Sequence, residues 1–296
     1  MNHDPRIETA LRASVETAIL LPCPPRFSEA IRYALFPGGG RIRPSLCIAV
    51  ATALGDPLPR LTDAAAVAIE LLHSASLVQD DLPCFDDAPT RRGRMALHRR
   101  YDEATAILVG DALIVLAFQT VAAHINDSPK AVAGILASLC TAAGAPAGIA
   151  AGQAWESEHN VDVAAYHHAK TAALFEAAAV AGAFAANAPA EPWRRVGGLL
   201  GQAYQIADDV ADQLGEAAIL GKPIHQDGVK SRPSMADNQG AGKALIMLDQ
   251  FVSDAVAAIP DCMGKSQIEA FLAESAMRLC PPHLRLVAKG QATNRA

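Results

Sequence analysis

Aromatic side chains make up only 5% of the 296 residues, and the six cysteines (Cys23, Cys47, Cys84, Cys140, Cys262, Cys280) include no CxxC pair. The scarcity of aromatics and of β-branched runs, beside a 51% hydrophobic content dominated by alanine, argues against an extended sheet and for helices. Scattered cysteines exclude a zinc site; reduced, mostly buried thiols in the cytoplasm are expected. Positive charge is also short: the net charge is −6, so the chain lacks the basic footprint of a nucleic-acid binder. Residues Met1–Glu8 lack a signal-peptide core. No repeat, low-complexity tract or Gly/Ser-rich linker divides the chain, so a single all-α domain over residues 1–296, a large helix bundle with a central cavity, is expected.

Two stretches approach membrane-spanning length, Ala104–Ala123 and Thr171–Ala190. Asp111 lies inside the first and Glu176 inside the second, and alanine contributes little insertion free energy. No membrane span is expected, and both segments read as interior helices.

What is plentiful is helix punctuated by proline and glycine. Ile7–Leu21 ends at Pro22–Pro25, and Phe27–Leu35 ends at Pro37-Gly38-Gly39-Gly40. A helix from Arg41 to Leu54 carries Pro44 in its first turn, and Leu61–Asp81 is long and apolar. Further helices are expected at Glu103–Ala123, Ser128–Ala143, Pro146–Glu156, Asp162–Ala186, Pro192–Gly215, Asn238–Ile259 and Gly264–Leu279. A glycine run followed by Arg41 and Arg43 offers backbone N–H groups beside fixed positive charge, a cradle suited to diphosphate.

Acid is concentrated in two places. Asp80, Asp81, Asp86 and Asp87 close one apolar helix and precede Arg91-Arg92-Gly93. Asp208, Asp209 and Asp212 follow another apolar stretch, with Asp208 and Asp212 on one helix face. One such cluster is most simply a solvated turn. Two, each ending an apolar helix, call for a cation to offset carboxylate repulsion, and hard oxygen donors suit Mg²⁺. Arg91 and Arg92 can fork onto phosphate oxygens. In an unbroken helix Asp80 and Asp86 point to different sides; a break at Pro83, which cannot donate to the Gln79 carbonyl, brings Asp86 back beside Asp80.

These motifs resemble the trans-isoprenyl diphosphate synthase family: Asp80-Asp81 to Asp86, then Arg91-Arg92-Gly93, then Asp208-Asp209 to Asp212. The Leu-Pro-Cys-Phe insert is similar to that of bacterial geranylgeranyl diphosphate synthases of carotenoid pathways, and the ordered motifs run from Pro37 to Pro233. The resemblance implies an all-α isoprenoid-synthase fold and Mg²⁺-assisted condensation of isopentenyl diphosphate with dimethylallyl, geranyl or farnesyl diphosphate. It implies Asp80, Asp86 and Asp208 as magnesium ligands on the allylic diphosphate, with Asp81, Asp209 and Asp212 in support. Arg91 falls to the allylic diphosphate; Arg92, Arg41, Arg43 and His73 fall to isopentenyl diphosphate; Lys170, Thr171, Gln205 and Lys222 line the allylic side. Small residues at Ala75 and Ser76, one turn before Asp80, imply room for a twenty-carbon product. A cytoplasmic homodimer is implied as well.

Three positions depart from the family pattern. Gly40 stands where a lysine is usual, Gln79 where a histidine is usual, and Ala172 where a glycine is usual. A lone histidine in an apolar helix is ordinarily a core residue, and only the motif match assigns His73 to binding; His98, His167 and His168 read as surface or supporting residues. Farnesyl diphosphate synthase, a class I terpene cyclase and a non-catalytic partner subunit are the competing functions. The second acid motif is of the synthase type, which disfavours the cyclase.

Overall fold

The computed structural model describes residues 5–20, 22–36, 38–214, 241–281 and 285. Its helices are α1 (Pro5–Ala18), α2 (Pro25–Leu35), α3 (Ile42–Ala53), α4 (Pro59–Asp80), α5 (Leu97–Arg100), α6 (Glu103–Ala122), α7 (Pro129–Ala143), α8 (Ile149–Trp155), α9 (Val163–His167), α10 (Ala173–Ala185), α11 (Glu191–Leu214), α12 (Ala241–Ala257) and α13 (Lys265–Leu279). A π-helical turn, His168–Ala172, joins α9 to α10, and a two-stranded ribbon pairs β1 (Thr90–Arg91) with β2 (Arg94–Met95). Among the described residues the fold is all-α apart from that ribbon, as the alanine-rich composition implies.

The chain groups into two compact units, residues 1–140 with 177–190, and residues 141–176 with 191–296. In the first, α4 is the axis. Leu61, Ala65, Val67, Ile69, Leu71 and Ala75 are buried around its whole circumference, as a helix apolar on every side requires. α6, α3, α1 and α2 pack on it. α1 offers Ile7, Leu11 and Val15, spaced at helical period, and Gly182 of α10 lets that helix meet the Cys47 carbonyl of α3. In the second unit α11 pairs with α12 and packs on the π-helical turn, with Trp193, Leu200, Val210, Leu248 and Leu272 buried.

Two expectations need correction. α6 is not an interior helix. Ala104, Ile107, Leu108, Asp111, Val115 and Gln119 form an exposed stripe along it, and Ile107, Leu108 and Val115 are 49%, 57% and 64% exposed. Its composition matches that of the buried α4, but only the inner face (Val109, Leu113, Ala117, Val121) meets the core. The thiols are not mostly buried either: Cys47 and Cys280 are, whereas Cys84 and Cys140 are exposed. Burial pushes the Cys47 thiol well above its ordinary range.

Candidate active site

The first acid cluster is built by the end of α4. Pro83 has no N–H for the Gln79 carbonyl, and the Leu82 N–H takes that carbonyl instead at 3.1 Å, closing the helix with a tight turn. The chain then doubles back. The Asp86 N–H donates to the Asp80 carbonyl at 2.9 Å, and the Ala88 N–H to the Asp81 carbonyl at 3.2 Å. The break anticipated at Pro83 therefore returns Asp86 to Asp80. The side chain of Gln79 lies against Gly110 of α6.

The ribbon that follows was not legible in the sequence. Arg92 and Gly93 form its two-residue loop with φ of 53° and 73°. Two positive φ values mark the type I′ turn that suits a tightly twisted hairpin. Its usual Asn-Gly signature is absent, and Arg-Gly after a proline gives only a weak hint. The hairpin separates the two arginines. Arg91 lies on β1 opposite Arg94, and its Nε and Nη2 donate to Asp81 Oδ1 at 2.9 and 2.5 Å; Arg92 is carried on the turn.

Asp81 is buried, while Asp80 and Asp86 are half-buried. Burial pushes the Asp81 carboxyl up to about 6; the charge and hydrogen bonds of Arg91 oppose that rise, and Asp80 and Asp86 add to it. Burial alone lowers the Arg91 guanidinium, but Asp81, Asp80 and Asp86 outweigh it and hold it above its ordinary value. The half-buried Asp80 and Asp86 thus flank a buried carboxylate paired with Arg91.

His73 lies two turns before Asp80 on α4. Its imidazole is held well below the ordinary 6.5, first by burial and then by the charges of Arg43, Arg92, Arg41 and Arg91. Arg43 Nη1 is 3.4 Å from Nε2 and can only donate, so Nε2 accepts and the ring proton sits on Nδ1. A neutral imidazole among four guanidiniums marks a region of positive potential suited to an anion. Ser76, one turn before Asp80, is half-buried and donates to the His73 carbonyl at 2.8 Å; Ala75 is 1% exposed. Arg41 is buried and engaged by Glu8, Glu70 and the Leu35 carbonyl, rather than aimed outward as its motif suggests.

The remaining described candidates belong to the second unit. Lys170 and Thr171 sit in the π-helical turn, which the sequence presents only as part of one long alanine-rich helix. Two glycines seat that turn: a Cβ on Gly152 of α8 would lie 2.6 Å from the Lys170 nitrogen, and one on Gly201 of α11 would lie 2.6 Å from the Ala172 Cα. Such turns recur at functional sites because the extra residue redirects side chains. Lys170 Nζ pairs with Glu156, which also accepts from the Tyr166 hydroxyl at 2.9 Å. Thr171 Oγ1 donates to Gln205 Oε1 at 2.7 Å, and Gln205 Nε2 donates to Asp209 Oδ1 at 2.9 Å. Asp209 is 4% exposed, whereas Asp208 is half-buried. As in the first cluster, the inner aspartate is held by the protein and its neighbour is the more open one. Asp212 follows one turn along α11, and Lys222 lies outside the described residues. His98, expected as a surface or supporting residue, is only 7% exposed, which excludes the surface alternative.

Among the described residues no three His, Cys, Asp or Glu side chains converge to enclose an ion by themselves. Magnesium does not require that, because it keeps several waters and is commonly held by one or two carboxylates with substrate phosphates. Half-buried Asp80 and Asp86, joined through the Asp80 carbonyl and carrying only oxygen donors, fit that mode.

Comparison with known proteins places this geometry. The Polyprenyl synthetase family profile matches residues 24–244. Geranylgeranyl diphosphate synthase from Cereibacter sphaeroides is 45% identical over 95% of this chain and 98% of its own length. The enzyme of that name from Rhodobacter capsulatus is 46% identical over 90% of this chain and 93% of its own. A crystal structure of geranyltransferase from Helicobacter pylori, complexed with magnesium and isoprenyl diphosphate, superposes with a TM-score of 0.75 at 25% identity, covering 93% of this chain and 98% of that one.

The electrostatics of His73 give a measurable consequence. A histidine harder to protonate folded than unfolded removes stability as pH falls through the unfolded value near 6.5. Urea denaturation across that pH should show wild type losing stability relative to His73→Gln below 6.5, with parallel behaviour above it. A difference between the two proteins that is constant with pH contradicts the neutral imidazole.

With the acid motifs, the arginine hairpin and matches spanning nearly the whole chain in agreement, the protein belongs to the polyprenyl synthetase family.

Proposed function

We propose that the chain is a trans-prenyltransferase that condenses isopentenyl diphosphate with dimethylallyl, geranyl and farnesyl diphosphates, and that its product is geranylgeranyl diphosphate. The observation that carries this reading is the helix end broken at Pro83, which returns Asp86 to Asp80 beside a hairpin bearing two arginines. The names of the two bacterial relatives support the product. The family match, continuous from residue 24 to 244, supports one synthase domain over the whole chain.

Asp80, Asp86 and Asp208 are the residues that would hold magnesium against the allylic diphosphate, with Asp81, Asp209 and Asp212 supporting them. Magnesium bound there supplies charge neutralisation to the departing diphosphate. The protein's own groups do the rest. Arg91 gives up Asp81 for the allylic diphosphate; Arg92, Arg43 and neutral His73 hold isopentenyl diphosphate. Lys170 and Lys222 hold the leaving group, and the oxygens of Thr171 and Gln205 stabilise the developing allylic cation. The isopentenyl double bond forms the new carbon–carbon bond as the allylic carbon–oxygen bond breaks. The adduct then loses a proton to the departing diphosphate, so no protein base is needed.

The exposed apolar stripe of α6 supports a homodimer, since Ile107, Leu108 and Val115 are larger than an isolated surface needs. Six cysteines without a disulfide support a reducing, cytoplasmic setting.

Incubation with isopentenyl diphosphate, each allylic primer in turn and magnesium, followed by chain-length analysis, tests the reaction. Asp80→Asn and Asp208→Asn should each lower kcat by about a hundredfold or more. Turnover within about tenfold of wild type in both variants would remove the metal-ligand assignment. Ser76→Phe should shorten the product to fifteen carbons, a result that wild type itself would give if it were a farnesyl diphosphate synthase. Ala75→Phe should do the same while losing about 1–3 kcal/mol of stability, because Ala75 is buried within α4's packing. An unchanged product distribution in both refutes this floor for the tail. In sedimentation equilibrium, wild type should run as a dimer and Leu108→Glu/Val115→Glu as a monomer; an unshifted mass places the subunit contact elsewhere.

A further inference from the structure

Arg41 is occupied in a way its motif does not suggest. Its side chain is 1% exposed, and each of its nitrogens is engaged. Nε donates to Glu8 of α1 at 2.8 Å, Nη1 to Glu70 of α4, and Nη2 to the Leu35 carbonyl at 3.0 Å. Two carboxylates face one guanidinium, so the cluster offers no surplus positive charge to a diphosphate. What it does is hold a shape. The Arg41 backbone lies at φ 51°, a left-handed conformation unfavourable for any residue but glycine unless its surroundings enforce it.

The glycine run is moulded onto that guanidinium. A Cβ on Gly38 would lie 2.1 Å from the Arg41 Cζ, and one on Gly39 would lie 2.7 Å from Arg92 Nη2. The loop therefore lies against both guanidiniums. Arg43, two residues beyond Arg41 in the first turn of α3, is 3.4 Å from His73 Nε2. α1 is fixed in turn by Arg6, which pairs with Asp56 at 2.8 Å and with Asp63 at 2.5 Å. An ion-pair chain thus runs from the first helix to the turn that presents Arg43.

We propose that Glu8 is a positioning residue for the isopentenyl-diphosphate half of the reaction: through Arg41 it locks the left-handed turn that presents Arg43 and seats Gly39 against Arg92. This rests on the reading that Arg43, Arg92 and His73 bind that substrate. Glu8 touches no reactant; its effect is on how well the binding groups are pre-set.

Steady-state kinetics of Glu8→Gln and Glu8→Ala in the full chain test it. The KM for isopentenyl diphosphate should rise about fivefold to tenfold, with kcat and the allylic KM within about twofold of wild type. Arg41→Lys, which keeps the charge and loses the fork, should behave the same way. If Arg41 acted by its charge on the diphosphate, Glu8→Gln would lower that KM; a fall, no change, or equal rises for both substrates overturns the proposal. Hydrogen exchange separates this outcome from failure of the functional reading. A wild type that consumes no isopentenyl diphosphate defeats that reading, yet amides of Gly38–Ser45 should still exchange faster in Glu8→Gln while those of α6 stay unchanged. Equal exchange at Gly38–Ser45 overturns the clamp whatever the enzyme assay gives.

Discussion

Carboxylates of one sign crowded at the end of an apolar helix are the constraint on which the rest of this structure depends. Such a group stays ionised only where its repulsion and lost hydration are offset. The protein offsets part of this internally. Asp81 is buried against Arg91, and Asp209 is buried against Gln205. Asp80, Asp86 and Asp208 are only half-buried. Each acid motif thus pairs a buried aspartate with more exposed neighbours.

The cluster of arginines around His73 follows the same logic with the sign reversed. Burial first, and then the charges of four guanidiniums, favour a neutral His73, so it contributes hydrogen bonding without adding to their repulsion. Arg41 is the exception, with two carboxylates against its one charge. Adjacent members of one sequence motif therefore differ: Arg41 braces the fold, whereas Arg43 lies against His73. The carboxylates of Glu8 and Glu70, not residue type, set Arg41 apart.

The fold class, most of the long helices and the turn-back at Pro83 were legible in the sequence because they rest on local chemistry, whereas the short α5 was not expected and the expected ends at Gly215 and Asn238 lie outside the described residues. Alanine favours helix, and proline removes one particular hydrogen bond; neither needs a distant partner. What escaped was non-local. The hairpin at Arg92-Gly93 lacks the residues that usually announce a type I′ turn, and the π-helical turn at His168–Ala172 is set by glycines on two other helices. The engagement of Arg41 depends on Glu8 and Glu70, 33 and 29 residues away. The outward face of α6 looks like core because composition does not say which side meets the interior.

The ribbon imposes a further condition on the arginine pair. Neighbouring residues in a strand project to opposite sides, and a two-residue turn leaves no slack in the pairing of Arg91 with Arg94. Arg91 can therefore pair with Asp81 from one side while Arg92, on the bend, packs against Gly39. The distance from Thr90 to Met95 is consequently a measured length of chain. Lengthening it by one residue would turn the wrong guanidinium toward Asp81 even with both arginines still present.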